Sequence, residues 1–512
     1  MAEASGFVPV KNRILLTFSV MLATVMQSID ATIANVALPH MQGSFAANQD
    51  QMVWVLTSYI IAAAVTIPLT GWLATRFDRK LVFLISIAGF TVASALCGMS
   101  TTLLQIVVFR LLQGISGAAL VPLSQAILFD INPPENHGQA MSFWGVGVTL
   151  GPILGPVLGG WLTEDYNWRW VFYINLPIGI LAFLGLLLFL PSKKNRQANR
   201  FDFFGFITLS IAVGSLQLML DRGGLKDWFT SREIIIEAIA AATAFYVFMV
   251  HVMTHKRPFI NTALFKDTNF VVGTVFIFIV GIVLFATLAL LPPLLQEVLQ
   301  YPVITTGLVT APRGLGLMLA MILVGRLLGR VDAKILMGTG LVLTSVSLGR
   351  MSHFSPLMDE WPIIETGALQ GFGIGLVYVP LATVAFAALP NQLRTEGTAF
   401  FNLLRNIGSS IGISIVQALF TRNMQIVHAG LAAQITPYNT EAHPGLQAMH
   451  IDLAGPHSLV LLNSEITRQA AMISYLDDFR LIMVVTMLML PLLLLFRRAR
   501  RIETTQPVTA EK

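Results

Sequence analysis

Two residues of opposite charge lie inside long apolar runs of this 512-residue chain: Asp30 within 14–38 and Arg110 within 104–129. A carboxylate in hydrocarbon costs about 3 kcal/mol or more, so it is protonated, paired or turned toward a water-filled cavity. Asp30 precedes Pro39 by nine residues, roughly 13 Å of helix; Arg110 lies six residues into its run, roughly 9 Å. Comparable depth allows the two to interact, directly or through water. A neighbouring cation and desolvation push a carboxylate's proton affinity in opposite directions, which suits such a group to proton exchange when its surroundings change. The other reading is a static structural pair.

Further polar groups interrupt other apolar runs. Arg313 and Arg405 are further cations set well inside such runs, and Arg405 shares a polar stretch of helix with Asn402, Asn406 and Ser409. With 21 Met and 33 Phe, the chain can build an apolar, adaptable pocket that needs only a few polar anchors. Gln27, Asn35, Tyr59, Gln125, Arg313, Tyr378, Asn402 and Arg405 are the cavity candidates. Gly147, Gly151, Gly155 and Gly159 recur every four residues, with Gly160 adjacent, so one helix face lets another backbone approach closely. Pro152 and Pro156 remove donors and bend that helix. Close packing is one reading, and a seal against leak is the other. His428, His443, His450 and His457 lack the spacing of a zinc site, and no metal or other cofactor is expected.

The elements that must position these residues follow from composition. The chain is 55% hydrophobic and 12% charged, with a mean hydropathy of +0.72. A soluble domain carries about 25% charged residues, so a soluble enzyme and a disordered chain are both excluded. Fourteen apolar windows read as membrane helices: 14–38, 51–74, 81–99, 104–129, 140–162, 170–190, 201–220, 232–254, 270–291, 303–328, 335–352, 363–388, 396–420 and 474–496. With both termini cytoplasmic, 21 Lys and Arg fall inside, eight outside and three within spans, as the positive-inside rule asks. The net charge of +5 is thereby explained by the membrane and its lipids, and no nucleic-acid partner is expected. The single cysteine, Cys97, excludes an intramolecular disulfide and a thiolate metal site.

The chain also repeats itself. Gly71-Trp-Leu-Ala-Thr-Arg-Phe-Asp-Arg-Lys80 and Gly325-Arg-Leu-Leu-Gly-Arg-Val-Asp-Ala-Lys334 share Gly, Leu, Arg, Asp and Lys in register. Gln113-Gly114 before Pro122-Leu123 is echoed by Gln370-Gly371 before Pro380-Leu381. Duplicated six-span halves place a substrate site between them, near the membrane midplane. The expected organisation is an N-terminal half at 1–190, a linker with two additional spans at 191–260, and a C-terminal half at 261–496. The last of these includes a long periplasmic segment at 421–473, and a basic cytoplasmic tail follows at 497–512.

These segments resemble the major facilitator superfamily, in particular its fourteen-span drug:proton antiporter branch. Gly71 to Lys80 looks like the gating loop between spans two and three. Arg110 with Gln113-Gly114 looks like the span-four motif, and Gly147 through Gly160, with Pro152, like the antiporter motif of span five. Asp30 to Pro39 looks like the first-span drug-efflux signature. Trp168 to Gly179, and Gly214 to Gly223 with Asp227-Trp228, are similar to further family segments. The resemblance implies an all-α polytopic fold of two six-helix halves plus two extra central spans, in a bacterial inner membrane. It implies export of amphipathic drugs, driven by the proton gradient with Asp30 and Arg110 coupling the proton. It also implies a periplasmic membrane-fusion adaptor and an outer-membrane channel as partners, with 421–473 helping to meet the adaptor. Gly71, Arg76, Asp78, Arg79, Gly325, Arg330 and Asp332 would form the gating loops. Thr75 stands where the family has an Asp that latches the halves, and Asp78 is the residue placed to substitute. A symporter or uniporter for a small solute is the alternative on the same scaffold. A membrane enzyme is disfavoured, since no Ser-His-Asp, HExxH or Walker A pattern is present.

Overall fold

The computed structural model describes residues 10, 12–192, 201–255, 258–435 and 456–497. The basic residues at 193–200, Lys256, Arg257, the tail beyond 497, His443 and His450 lie outside the described residues. The rest forms fourteen helical rods and, among the described residues, no strand. They are α1 (Arg13–Phe45), α2 (Gln49–Thr66, continuing as Leu69–Arg76), α3 (Arg79–Met99), α4 (Leu103–Ile131), α5 (His137–Asp165), α6 (Trp170–Phe189) and α7 (Phe203–Arg222). Then follow α8 (Arg232–Thr254), α9 (Thr268–Val298), α10 (Val303–Leu327), α11 (Ala333–Met351), α12 (Trp361–Phe386), α13 (Asn391–Gln434) and α14 (Pro456–Leu492). Each expected window falls on one rod. Twelve of them are long and apolar enough to cross a membrane, and α2, bent by 51° at its break, makes a thirteenth. The fourteenth, α11, is 19 residues long, its apolar character diluted by glycine, threonine and serine.

The repeated loops have a local reason. The shared aspartate is an N-cap in both: Asp78 Oδ1 accepts from Lys80 N–H at 3.1 Å and Asp332 Oδ1 from Lys334 N–H at 2.9 Å, satisfying a donor the first helical turn leaves free. The shared glycine is a docking point on the opposite half. A Cβ on Gly71 would lie 2.9 Å from Glu396 Cα of α13, and one on Gly325 would lie 2.8 Å from Ser142 Cβ of α5. The two contacts are related as the two halves are. Asp202 caps α7, accepting from Gly205 N–H, from His251 of α8 and from Phe259 N–H. Burial works against that carboxyl's ionisation, but these donors together hold it below the usual carboxylate range.

At the end of the bundle that carries these loops the seam between halves is closed. Asp130 of α4 pairs with Arg79 and, at 3.1 Å, with Arg394 of α13. Thr398 donates to the Pro122 carbonyl at 3.1 Å, Phe129 packs on Phe386, and Trp144 stacks on Tyr378 at 6.1 Å.

Two expectations need correction. Asp78 does not latch the halves; beyond its cap it accepts from Ser192, and Asp130 supplies the charged contact across the seam. Glu396, near the start of α13, accepts the Asn261 N–H and packs on Gly71. The long segment 421–473 is helical over most of its described residues: α13 runs on to Gln434 and α14 starts at Pro456. The two extensions brace one another through Leu431 and Ile435 against Leu462 and Ile466, with His428 Nε2 at 3.1 Å from Asn463. A helix braced by its neighbour needs only a narrow apolar stripe, so a segment of polar composition can still be helical.

Asp130→Asn removes the anion both arginines share and is expected to cost about 1.5–3 kcal/mol. The check is thermal unfolding in detergent, with the exposed Arg76→Gln as a control that leaves the midpoint unchanged.

Candidate functional site

Asp30 is fully buried on α1. Its Oδ2 accepts from Arg110 Nη1 of α4 at 2.8 Å, and its Oδ1 accepts from Gln113 Nε2 of α4 at 2.8 Å and Asn175 Nδ2 of α6 at 2.7 Å. The expected pair is therefore a direct contact, inside a larger network. Arg110 is 1% exposed. Its Nη1 also donates to Gln113 Oε1 at 2.8 Å, its Nε to the Val55 carbonyl of α2 at 3.2 Å, and its guanidinium lies 4.1 Å from the centre of the Tyr59 ring. Asn175 further donates to Ser94 Oγ of α3 at 3.0 Å. Every helix of the N-terminal half except α5 thus contributes a group, and charge is balanced within it. Breaking such a buried pair by removing one partner costs about 3–5 kcal/mol.

The fifth helix enters through backbone. Cβ atoms on Gly147, Gly151 and Gly155 would collide with Met21, with the Ser28 carbonyl and with the Thr32 hydroxyl of α1, and one on Gly159 would lie 3.1 Å from Ile33 and Val36. Ser28 donates to the Val148 carbonyl and Thr32 to the Gly151 carbonyl at 2.9 Å. The glycine face therefore grips the turn of α1 that carries Asp30. Gly160 has nothing within 4 Å of its Cβ position and takes no part in this contact.

The cavity candidates separate into three groups. Gln27 donates to the Tyr59 hydroxyl at 3.1 Å, so both belong to the surroundings of Arg110. Gln125 and Asn402 hydrogen-bond across the seam at 3.0 Å, both buried, and Arg405 donates to the Tyr378 hydroxyl at 2.9 Å. In this conformation Gln125 and Asn402 close the seam, with Tyr378 stacked on Trp144 across it, while the bond of Arg405 lies within the C-terminal half. Arg313 is buried, reaching the Leu284 carbonyl at 3.0 Å, whereas Asn35 is exposed. A cleft of about 500 Å³ opens between α11 and α12 beside Arg350 and His353, and none of the candidates lines it. Of the loop residues, Arg76 and Arg330 are exposed. Gln113 and Asn175 were missed as site residues; their signal was an amide inside an apolar run within motifs already noticed.

A family model, Major Facilitator Superfamily, matches residues 20–413. The chain belongs to the major facilitator superfamily. It is 37% identical over 448 residues to the multidrug export protein EmrB of Escherichia coli K12, covering 86% of each chain. It is 34% identical to EmrB of Haemophilus influenzae, over 93% of this chain and 94% of that one. Identity to the fatty acid resistance protein FarB of Neisseria gonorrhoeae is 35%, over 92% and 94%. Among solved structures, the human organic anion transporter MFSD10 superposes with a TM-score of 0.58 over 93% of this chain and 99% of that one, at 14% identity, and so shares the fold. As a member of the superfamily the chain is a multi-pass membrane transporter rather than an enzyme.

The glycine contacts make a paired prediction. Gly151→Ala places a methyl group against the Ser28 backbone and is expected to destabilise by about 1–3 kcal/mol, while Gly160→Ala is neutral. Thermal unfolding of the two purified variants measures the difference.

Proposed function

We propose that this superfamily member exports amphipathic drugs or toxic compounds in exchange for protons, by alternating access, as the inner-membrane permease of a tripartite efflux system. The observation that carries the reading is the buried Asp30–Arg110–Gln113–Asn175 network, held on a turn of α1 that α5 grips through its glycines. A proton taken up by Asp30 removes the charge that balances Arg110, and a lone buried cation is costly enough to drive rearrangement. Because α1 and α5 touch backbone to backbone, and α5 meets α10 of the other half through Ser142 and Met321, that rearrangement has a route to the seam. The names of the relatives, which export drugs or confer resistance to fatty acids, support an amphipathic cargo. The adaptor and outer-membrane channel rest on the resemblance of the sequence motifs to the drug:proton antiporter branch, and the extensions of α13 and α14 are the surface offered for the adaptor. Lys and Arg distribution supports cytoplasmic termini.

Asp30→Asn is expected to abolish export driven by a pH gradient in proteoliposomes while the protein still inserts and binds substrate. Gradient-driven export at the wild-type rate would sink the assignment. For orientation, Gly430→Cys on the α13 extension, where nothing lies within 4 Å of the Cβ position, is expected to react with an impermeant thiol reagent added to intact cells.

A further inference from the structure

The segment Gly214 to Gly223 with Asp227-Trp228 is not used by the site described above, yet it places another acid, Asp221, at the end of a membrane helix. Gly223 leaves room for the Trp228 ring, which lies 2.7 Å from the position its Cβ would take, and Trp228 N–H donates to the Gly223 carbonyl at 2.8 Å. This fold-back ends α7 with Asp221 turned toward α2, where the Thr57 hydroxyl donates to its Oδ2. The neighbouring Arg222 is engaged elsewhere, paired with Glu233 of α8 and 5.0 Å from the Trp54 ring. Asp221 is half-buried and, among the described residues, has no cation within ion-pair distance.

On its other side α7 is fastened to α13 of the C-terminal half. Ser410 donates to Gln217 Oε1 at 3.0 Å and Ser414 to the Leu220 carbonyl at 2.8 Å. Near the repeated loops α2 packs directly on α13, through Gly71 and Glu396. Toward the opposite end α7 lies between them and ties one to the other. The two ties differ in kind. The one to α13 uses an amide and a carbonyl, which do not titrate, and the one to α2 uses a carboxylate. An amide at 221 would accept the same hydrogen bond without the cost of a half-buried charge, but only a carboxylate can change the strength of the tie by binding a proton.

We propose that Asp221 is a positioning residue of the transport cycle: ionised, it holds α2 to α7 and so clamps the seam opposite the loops, and on binding a proton it releases α2 so that the halves can rock. The inference rests on the transport reading given above. The proton comes from the aqueous phase at that end of the bundle, adds to a carboxylate oxygen of Asp221 and returns to water when the clamp closes again. Protonation turns a charge-assisted hydrogen bond into a neutral one of about half the strength. The charged and titratable groups around Asp221 are Arg222 on its own helix, Glu233 and Glu237 on α8, and Lys226 and Asp227 in the turn. The contact faces of α2 at Trp54 and Thr57, and of α13 at Ser410 and Ser414, carry none. The clamp also shares an element with the Asp30 site. Val55 and Tyr59 on one face of α2 engage Arg110, while Thr57 between them engages Asp221.

Spin labels at Gly43→Cys on α1 and Arg422→Cys on α13 report the separation of the halves at this end, since both positions are exposed and Cys97 is buried. Distances are read between pH 5 and pH 8 in nanodiscs, alongside pH-gradient-driven dye export in proteoliposomes. The wild-type distance distribution is expected to shift with pH. In Asp221→Asn and in Thr57→Val the shift is lost, or its midpoint moves by about one pH unit or more, a tenfold change in proton affinity. Thr57→Ser, which keeps the hydroxyl, restores it. A wild type with no pH response, or an unchanged response in both Asp221→Asn and Thr57→Val, overturns the clamp. Absence of gradient-driven export in wild type overturns the transport reading instead, and leaves the distance measurement to decide the clamp by itself.

Discussion

An ionised carboxylate in the middle of a membrane protein must be supplied with donors by the protein itself, because the surrounding hydrocarbon offers none. Asp30 meets this requirement with three donors from two helices, and much of the N-terminal half is arranged to bring them there. Gln113 is the joint of the network. Its Nε2 donates to Asp30 while its Oε1 accepts from Arg110, so one amide orients both charges. Arg110 in turn spends its remaining capacity on the Val55 carbonyl and the Tyr59 ring, tying α2 to the same network. A change of charge at Asp30 therefore cannot stay local. It unbalances a guanidinium that is itself out of water, and the donors that had converged on one carboxylate lose the reason for their geometry.

Such a network transmits only if its scaffold is stiff. The contact of α5 with α1 supplies the stiffness by bringing backbone close to backbone at Gly151 and Gly155, where only the short side chains of Ser28 and Thr32 intervene. Ser28 and Thr32, which flank Asp30, both hydrogen-bond to carbonyls of α5, so the turn carrying the acid is fixed at both ends. Close packing and a functional role for the glycine face are thus not competing readings, since the packing is what connects Asp30 to the helix that borders the opposite half.

Much of this was legible in the sequence, for physical reasons that also mark where legibility stopped. Asp30 and Arg110 stood out because a charge in an apolar run is conspicuous, and counting residues to the span ends gave their depths. The four-residue glycine period named a helix face without naming its partner. Gln113 and Asn175 were less visible, since an uncharged amide in an apolar run is compatible with many roles until a donor distance is known. Gln125, Asn402 and Tyr378 were read as lining a cavity, but a residue on the seam lines space in one conformation and closes it in another, and sequence does not fix the conformation. The helical extensions of α13 and α14 escaped because hydropathy marks where a helix meets lipid, not where it ends.

The duplication sharpens what is particular to one half. Each copy of the loop keeps its glycine against the opposite half and its aspartate as a cap, so the duplicated parts that survive are those that close the seam. The Gln-Gly echo tells a different story. Gln113 donates to Asp30, and its counterpart Gln370 donates to the Thr287 hydroxyl of α9 at 3.1 Å. Three residues before Gln113 stands Arg110, and three before Gln370 stands Gly367, against which the helix carrying Arg313 packs. The C-terminal copy thus keeps the amide and the position it reaches, but holds a neutral hydroxyl in place of the carboxylate and a glycine in place of the guanidinium. A hydroxyl stays neutral through the pH range of a cell and needs no counter-ion, so the position that matches Asp30 carries no titratable group. The scaffold was doubled, whereas the charge pair stands in one copy, and any work done by its titration must cross the seam to move the other half.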